Sequence, residues 1–230
     1  MGSVGPAWPA ASLLGRLPEP VRDLMLGLGR AVQVEPGRAI LRLGDPPGRS
    51  FLLLNGCVKV LGNDSGREPL LDIRVGGDLV GEMSVLSGAP RSATVVTCSL
   101  TAAREIGGRE LRQFLLNEPQ ASLAVAGMLA ERLRWANERR VDFATVDAGV
   151  RVSRVLLALA YQYGQPCPGG HSLGVSLTQE EIASLAGVRL PTAEKHLRLL
   201  ARAGAIRVGY RTVLVTDLDG LARAADPEAL

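Results

Sequence analysis

Between Gly81 and Thr94 the chain reads Gly-Glu-Met-Ser-Val-Leu-Ser-Gly-Ala-Pro-Arg-Ser-Ala-Thr. Gly81 permits a close turn, and Glu82 to Leu86 suit one helical turn, whose free amides attract an anion. Arg91 adds a forked guanidinium for the same anion, and Ser92 adds a hydroxyl. A carboxylate beside a phosphate clamp repels phosphate, so Glu82 needs another partner. A sugar hydroxyl is the natural one. Gly-Glu alone merely starts a helix, and Arg-Ser-Ala-Thr alone merely starts a strand. Both halves together, with eight residues between Glu82 and Arg91, point to a binding function.

A second chemistry lies near the C-terminus. From Arg189 to Arg211 six basic residues (Arg189, Lys195, Arg198, Arg202, Arg207, Arg211) face one acid, Glu194. The window therefore carries +5 in a chain of net charge +3, which leaves the remainder at −2. A solvated helix face would usually interleave acids, so this pattern reads as an electrostatic footprint for the phosphates of nucleic acid. Cys57, Cys98 and Cys167 form no CxxC and no metal-ligand spacing, and are expected as free thiols in a reducing compartment. Both histidines, His171 and His196, lie in the last third, so a haem or zinc site earlier in the chain would have no histidine to use. A nucleophile elbow, a GxxxxGK[ST] loop and HExxH are all absent from the sequence, which argues against an enzyme.

The elements that position these residues follow from punctuation and period. The 230 residues are 47% apolar and 21% charged, as in a globular protein with a substantial core, and one large or two modest domains fit that length. No apolar run approaches the roughly 18 residues of a membrane span, and MGSVGPAWPA lacks the pattern of a secretory signal. A soluble, cytoplasmic protein is expected, with residues 1–11 as a flexible lead. After a helix near 18 to 29, residues 31 to 106 alternate short apolar runs with turn signals such as Glu35-Pro36-Gly37, Asn55-Gly56 and Gly76-Gly77-Asp78. That rhythm predicts a compact barrel or roll. A short helix over 109 to 117 stops at Glu118-Pro119. Over 120 to 145, Leu123, Ala126, Ala130, Leu133, Asn137 and Ala144 recur near a 3.5-residue spacing, a narrow stripe suited to a helix paired with another helix. A dimer seam is inferred there. Asp147 and Gly149 form a hinge before a helix over 150 to 161, and 165 to 170 reads as a loop. Thr178-Gln179-Glu180-Glu181 is a capping box opening a helix that breaks at Gly187. A second helix starts at Leu190-Pro191 and ends at Ala203-Gly204. Two short strands, 205 to 208 and 212 to 215, turn around Gly209-Tyr210. Helix, tight turn, helix and hairpin make a winged helix-turn-helix.

The Gly81-Glu82…Pro90-Arg91-Ser92-Ala93-Thr94 segment resembles the phosphate-binding cassette of cyclic-nucleotide-binding domains, and Gly37, Gly44-Asp45, Gly56 and Gly77-Asp78 match upstream. With the long helix and the C-terminal helix-turn-helix, residues 12 to 222 resemble the CRP/FNR-type transcription regulators, nearest in flavour to the cyclic-AMP receptors. The resemblance implies an α+β fold: β-roll over 12–118, dimerisation helix over 119–146 and winged helix-turn-helix DNA-binding domain over 147–230. It implies that Glu82 binds the ribose 2′-hydroxyl, that Arg91 and Ser92 hold the cyclic phosphate, and that Gly81, with Met83 and Ala93, completes the cassette. Cyclic AMP is the implied ligand, with no metal, haem or iron–sulfur cluster.

Two departures stand out. Where cyclic-AMP receptors carry a Thr-Ser or Thr-Asn pair against adenine, this chain has Ala136-Asn137. Asn137 still offers a donor and an acceptor, but Ala136 offers neither. Another ligand, such as a cyclic dinucleotide, or none at all, therefore remains open. The recognition helix usually opens Ser-Arg-Glu-Thr; here it opens Arg189-Leu190-Pro191-Thr192, losing the usual guanine and cytosine contacts. Thr178, Arg189, Thr192, Lys195, His196, Arg198 and Arg211 are the expected DNA-facing residues, His196 as a phosphate neighbour or plain surface residue. Leu190-Pro191 also admits a nucleotide-binding protein-interaction module in place of a DNA-binding protein. Activation would further require a surface for RNA polymerase, which leaves no pattern in the sequence.

Overall fold

The computed structural model describes residues 8–64 and 66–226. It is an α+β chain with N-terminal sheets, two long helices and a C-terminal helical region. The chain divides into two compact units between Arg132 and Leu133. The expected flexible lead falls on 1–7, which lie outside the described residues, and on 8–11. At Trp8 the chain is already engaged: its indole donates to the Leu54 carbonyl at 2.9 Å, and its ring packs on the first unit's core.

The first unit opens with α1 (Leu13–Arg16) and α2 (Glu19–Gly27). Strands β1 (Arg30–Val34), β2 (Ala39–Leu41), β3 (Arg49–Leu53), β4 (Cys57–Leu61), β5 (Leu70–Val75) and β6 (Leu79–Val80) follow. Then come α3 (Glu82–Ser87), β7 (Thr94–Thr97), β8 (Thr101–Gly107), α4 (Gly108–Asn117) and α5 (Pro119–Thr145). The strands form two four-stranded antiparallel sheets, β1-β8-β3-β6 and β2-β7-β4-β5. Alternation along β3 divides its side chains between two cores. Phe51 and Leu53 join Leu41, Val58, Val80, Val95 and Ala103, whereas Leu52 joins the helical core of Leu14, Met25, Ile106, Leu111 and Phe114. Ala121, Val125 and Met128 press one face of α5 into that helical core. A fully buried Leu or Met contributes roughly 1.5–3 kcal/mol relative to exposure. Leu123, Ala126, Ala130, Leu133, Asn137 and Ala144, the narrow stripe, are all exposed on the single chain.

The cysteine expectation needs correcting. Cys57 opens β4 and Cys98 follows β7; because β4 and β7 pair, the two Cα atoms stand 5.7 Å apart and the thiols are joined as a disulfide. Cys167 is free. A pairing across 41 residues of sequence leaves no spacing signature.

The second unit continues from the end of α5 into α6 (Ala148–Tyr163), β9 (Gln165–Cys167), β10 (Gly170–Ser172), α7 (Gln179–Ala186) and α8 (Leu190–Arg202). It closes with β11 (Ile206–Gly209), β12 (Thr212–Val215) and α9 (Leu218–Ala225). Residues expected as a loop pair as β9 and β10, extending the sheet to β11-β12-β10-β9. Helix α6 buries Val152, Val155, Leu156 and Leu159 and packs against α7, α8 and α9. Arg154 ties the unit together, donating to Asp142 at 2.5 Å and to the Ala225 carbonyl at 2.9 Å. No helix among the described residues is long and apolar enough to cross a membrane.

Candidate functional site

The cassette is fixed by backbone conformation first. Gly81 caps α3 with φ +82°. A Cβ there would lie 2.8 Å from Leu41 Cδ1 and 2.9 Å from Arg91 Nη1, so space and backbone both demand glycine. Helix α3 is then pinned from three sides. Val85 is buried in the helical core, Arg112 donates to the Val85 carbonyl at 2.7 Å, and the Ser84 hydroxyl donates to the Ala89 carbonyl at 2.6 Å.

Arg91 reaches back across the loop. Its amide donates to the Asp45 carbonyl and its own carbonyl accepts from Gly44, which anchors the residue at both ends. Only 5% of Arg91 is exposed; Nη1 donates to the Gly81 carbonyl at 2.8 Å and Nη2 to the Arg49 carbonyl at 2.5 Å. Burial, and then the positive charge of Arg49, lower the Arg91 pKa. A buried guanidinium next to another cation is a place where an anion gains energy.

Glu82 is 2% exposed, and its Oε1 accepts from Arg132 Nη1 at 2.6 Å. Arg132 also donates to the Leu79 carbonyl at 3.0 Å and lies 3.6 Å from Asp78. Burial pushes Asp78 above its ordinary value, against the pull of Arg132 and Arg74. Burial likewise lowers Arg132, with Arg74 adding to it. Glu82, Arg132 and Asp78 thus form one charged network beside the anion clamp. Sequence reasoning missed Arg132 and Asp78 in this role, because the pairing of a helix residue with one fifty positions earlier is a tertiary fact.

Gly81, Glu82 and Arg91 are therefore brought together. Ser92 is exposed beside them in sequence, Ala93 is half-buried, and Met83 is 53% exposed. Asn137 is exposed on α5, in the second unit.

In that second unit the capping box forms as the spacing predicts. The Thr178 hydroxyl accepts from the Glu181 amide at 3.1 Å, and the Glu181 carboxylate accepts from the Thr178 amide at 2.8 Å. Helix α8 begins with Pro191 in its first turn, where a missing N–H costs nothing. Ala193, Leu197 and Leu200 face inward, while Lys195, Arg198 and Arg202 are exposed at i, i+3 and i+7 along one outer face, with Arg189 at its head. Thr192 is half-buried. His196 does not share the outer face. It is half-buried, and its ring lies so close to Gly149 of α6 that a Cβ there would stand 2.5 Å from Nδ1. Arg211 sits in the turn between β11 and β12 with φ +54°, its carbonyl accepting from the Leu177 amide and the Ser176 hydroxyl.

Comparison with known proteins accounts for both halves. Residues 31–118 match the cyclic nucleotide-binding domain family, and residues 150–224 match the Crp-like helix-turn-helix domain family. The chain is 34% identical over 190 residues to a CRP-like cAMP-activated global transcriptional regulator of Mycobacterium tuberculosis, covering 82% of this chain and 85% of that one. It is 27% identical over 180 residues to the cAMP-activated global transcriptional regulator CRP of Salmonella typhimurium, covering 76% and 84%. A solved CRP/FNR-family regulator from Thermus thermophilus superposes with a TM-score of 0.72 at 25% identity, over 86% of this chain and 98% of that one. The c-di-GMP responsive global regulator CLP of Xanthomonas campestris shares the fold, with a TM-score of 0.73 at 22% identity over 86% and 99%. The matched domains, their order and the 34% identity together show that the chain belongs to the CRP/FNR superfamily of transcription regulators, with a cyclic-nucleotide-binding domain followed by a Crp-like helix-turn-helix domain.

Proposed function

We propose that this protein is a homodimeric DNA-binding transcription regulator, not an enzyme, and that cyclic AMP switches it on at the Gly81–Ala93 cassette. The observation that carries this reading is the buried Arg91 guanidinium set against Gly81, next to a Glu82 carboxylate held by Arg132. The Mycobacterium tuberculosis relative, named as cAMP-activated, supports the choice of ligand. In this reading the cyclic phosphate meets Arg91 and Ser92, the ribose 2′-hydroxyl donates to Glu82, and Gly81, Met83 and Ala93 border the ligand. The first-unit sheets act as a β-roll over 12–118, and α5 is the dimerisation helix within 119–146. The wholly exposed stripe of Leu123, Ala126, Ala130, Leu133, Asn137 and Ala144 then becomes the seam, where Asn137 from each copy is available to the base.

The segment over 147–230 reads as a winged helix-turn-helix, with β11 and β12 as the wing. Arg189, Thr192, Lys195, Arg198 and Arg211 meet DNA. Thr178, whose hydroxyl accepts the capping bond and keeps its proton to donate, contributes from the start of α7, whereas His196, turned toward Gly149, is peripheral to that contact. In a dimer the two α8 helices would enter successive major grooves about 34–36 Å apart. Coupling runs through Arg132. A ligand that engages Glu82 redistributes the ion pair fastening α5 beside the cassette, and α5 continues to within two residues of the Asp147 cap of α6. The ligand must favour the DNA-competent arrangement, since equal affinity for both arrangements shifts nothing. A surface for RNA polymerase belongs to the same reading, and nothing in it calls for metal, haem or an iron–sulfur cluster.

Calorimetric titration with cyclic AMP, cyclic GMP and cyclic di-GMP tests the sensor. Saturable cyclic AMP binding near one site per chain, lost in Arg91→Ala, is expected. Cyclic AMP binding that survives Arg91→Ala would sink the site. Ala136, which lacks the hydroxyl of cyclic-AMP receptors, is the one observation favouring a second reading, in which a cyclic dinucleotide is the ligand.

A further inference from the structure

A second charged pair faces the interior of the nucleotide domain. Strand β5 carries Asp72 and Arg74, two residues apart and therefore on one face. Register fixes which face it is. Asp72 stands opposite Val60 and Arg74 opposite Val58 on β4, and directly opposed residues of an antiparallel pair share a side. Val58 is wholly buried in the cluster with Leu41, Phe51 and Val80, and Val60 packs against that cluster. Asp72 and Arg74 thus point to the same interior as the apolar residues behind Gly81. Arg74 Nη2 meets Asp72 Oδ2 at 2.6 Å, with side chains 12% and 22% exposed. Arg74 also lies near enough for its charge to bear on both Arg132 and Asp78.

A partly buried ion pair is costly to desolvate, and its replacement by apolar residues is often neutral or stabilising. The valines opposite on β4 show that apolar side chains fit this face, and beyond their mutual pair Arg74 Nη1 donates to the Ile73 carbonyl and Asp72 Oδ1 accepts from the Ile73 amide, each at 2.8 Å. Recognition gives a further reason for charge here. Together the two side chains present adjacent donors and an acceptor.

Resting on the proposed cyclic-nucleotide function, we infer that the Asp72–Arg74 pair reads the base. Arg74 donates to purine N7, and Asp72 accepts from the 6-amino group of adenine. Guanine presents the acceptor O6 at that second position, against which a carboxylate is repulsive, so the pair selects adenine.

Binding of cyclic AMP, 7-deaza-cyclic AMP and cyclic GMP to the full chain tests this by calorimetry. The unaltered protein is expected to bind 7-deaza-cyclic AMP, which lacks N7, roughly tenfold more weakly than cyclic AMP. Arg74→Leu should lower cyclic AMP affinity roughly ten- to a hundredfold and bind the two adenine ligands alike. Asp72→Asn should lose much of the preference for cyclic AMP over cyclic GMP. Equal affinity of the unaltered protein for cyclic AMP and its 7-deaza analogue overturns the inference alone, and needs no variant to fold. Unchanged cyclic AMP affinity in Arg74→Leu does the same. Failure of the unaltered protein to bind any of the three overturns the functional proposal and this inference with it.

Discussion

Replacing Arg132 by methionine keeps most of the aliphatic stem while deleting the charge. It removes the 2.6 Å bond to Glu82, the 3.0 Å bond to the Leu79 carbonyl and the cation 3.6 Å from Asp78. Glu82 is 2% exposed, so water cannot take the place of the guanidinium without opening the structure. Breaking a buried pair in this way costs about 3–5 kcal/mol. Arg132→Met should therefore destabilise the first unit by about 3–5 kcal/mol. Trp8 packs on the core of that unit, so its fluorescence in a Trp135→Phe background reports the relevant unfolding in urea. Adding Glu82→Gln should recover about 2 kcal/mol at pH 7, because an amide tolerates the dry site without a counter-charge. A loss below about 1 kcal/mol would refute the buried-pair reasoning.

Three further outcomes are expected. Gly81→Ala, forced to φ +82° with its Cβ 2.9 Å from Arg91 Nη1, should cost about 1–2 kcal/mol of stability and lower cyclic AMP affinity at least tenfold, read by thermal melting and calorimetry. Glu105 and Asp78 should show opposite pH dependence. Burial alone would raise Glu105, but hydrogen bonds and charges from Arg49 and Arg30 outweigh it and hold its pKa below the ordinary 4.5. Its contribution is present above 4.5 and lost as pH falls, so the stability gap between wild type and Glu105→Gln should close in acid. Burial raises Asp78 above 3.8, so its contribution is present below 3.8 and lost as pH rises; wild type should gain on Asp78→Asn as pH falls. Lys195→Ala and Arg198→Ala should each reduce the salt slope of DNA binding by about 1 unit, measured by anisotropy, and His196→Ala should leave it unchanged.

How much of this was legible depended on the range of the interaction concerned. The capping box at Thr178–Glu181, the proline in the first turn of α8 and the glycine that opens α3 are local, and the structure forms each where the residues predict. The helix expected over 120 to 145 is Pro119–Thr145, with its narrow stripe wholly exposed on the single chain. What escaped was non-local. The Arg132–Glu82 pair, the Cys57–Cys98 disulfide and the placement of Asp72 and Arg74 beside Val60 and Val58 all depend on strand register or on the seating of α5. A window of sequence holds neither. His196 shows the same limit from the other side. Its neighbours Lys195 and Arg198 suggest a phosphate contact, yet helical phase turns its ring toward Gly149.

The central claim is that nucleotide at the cassette controls DNA binding. The most direct measurement is the anisotropy of a labelled duplex, selected from a randomised pool by the cyclic-AMP-saturated protein, titrated with and without cyclic AMP. Wild type should bind at least tenfold more tightly with cyclic AMP, and Arg91→Ala should bind weakly and equally in both conditions. The same affinity for wild type with and without the nucleotide, at concentrations that saturate the cassette, would contradict the account.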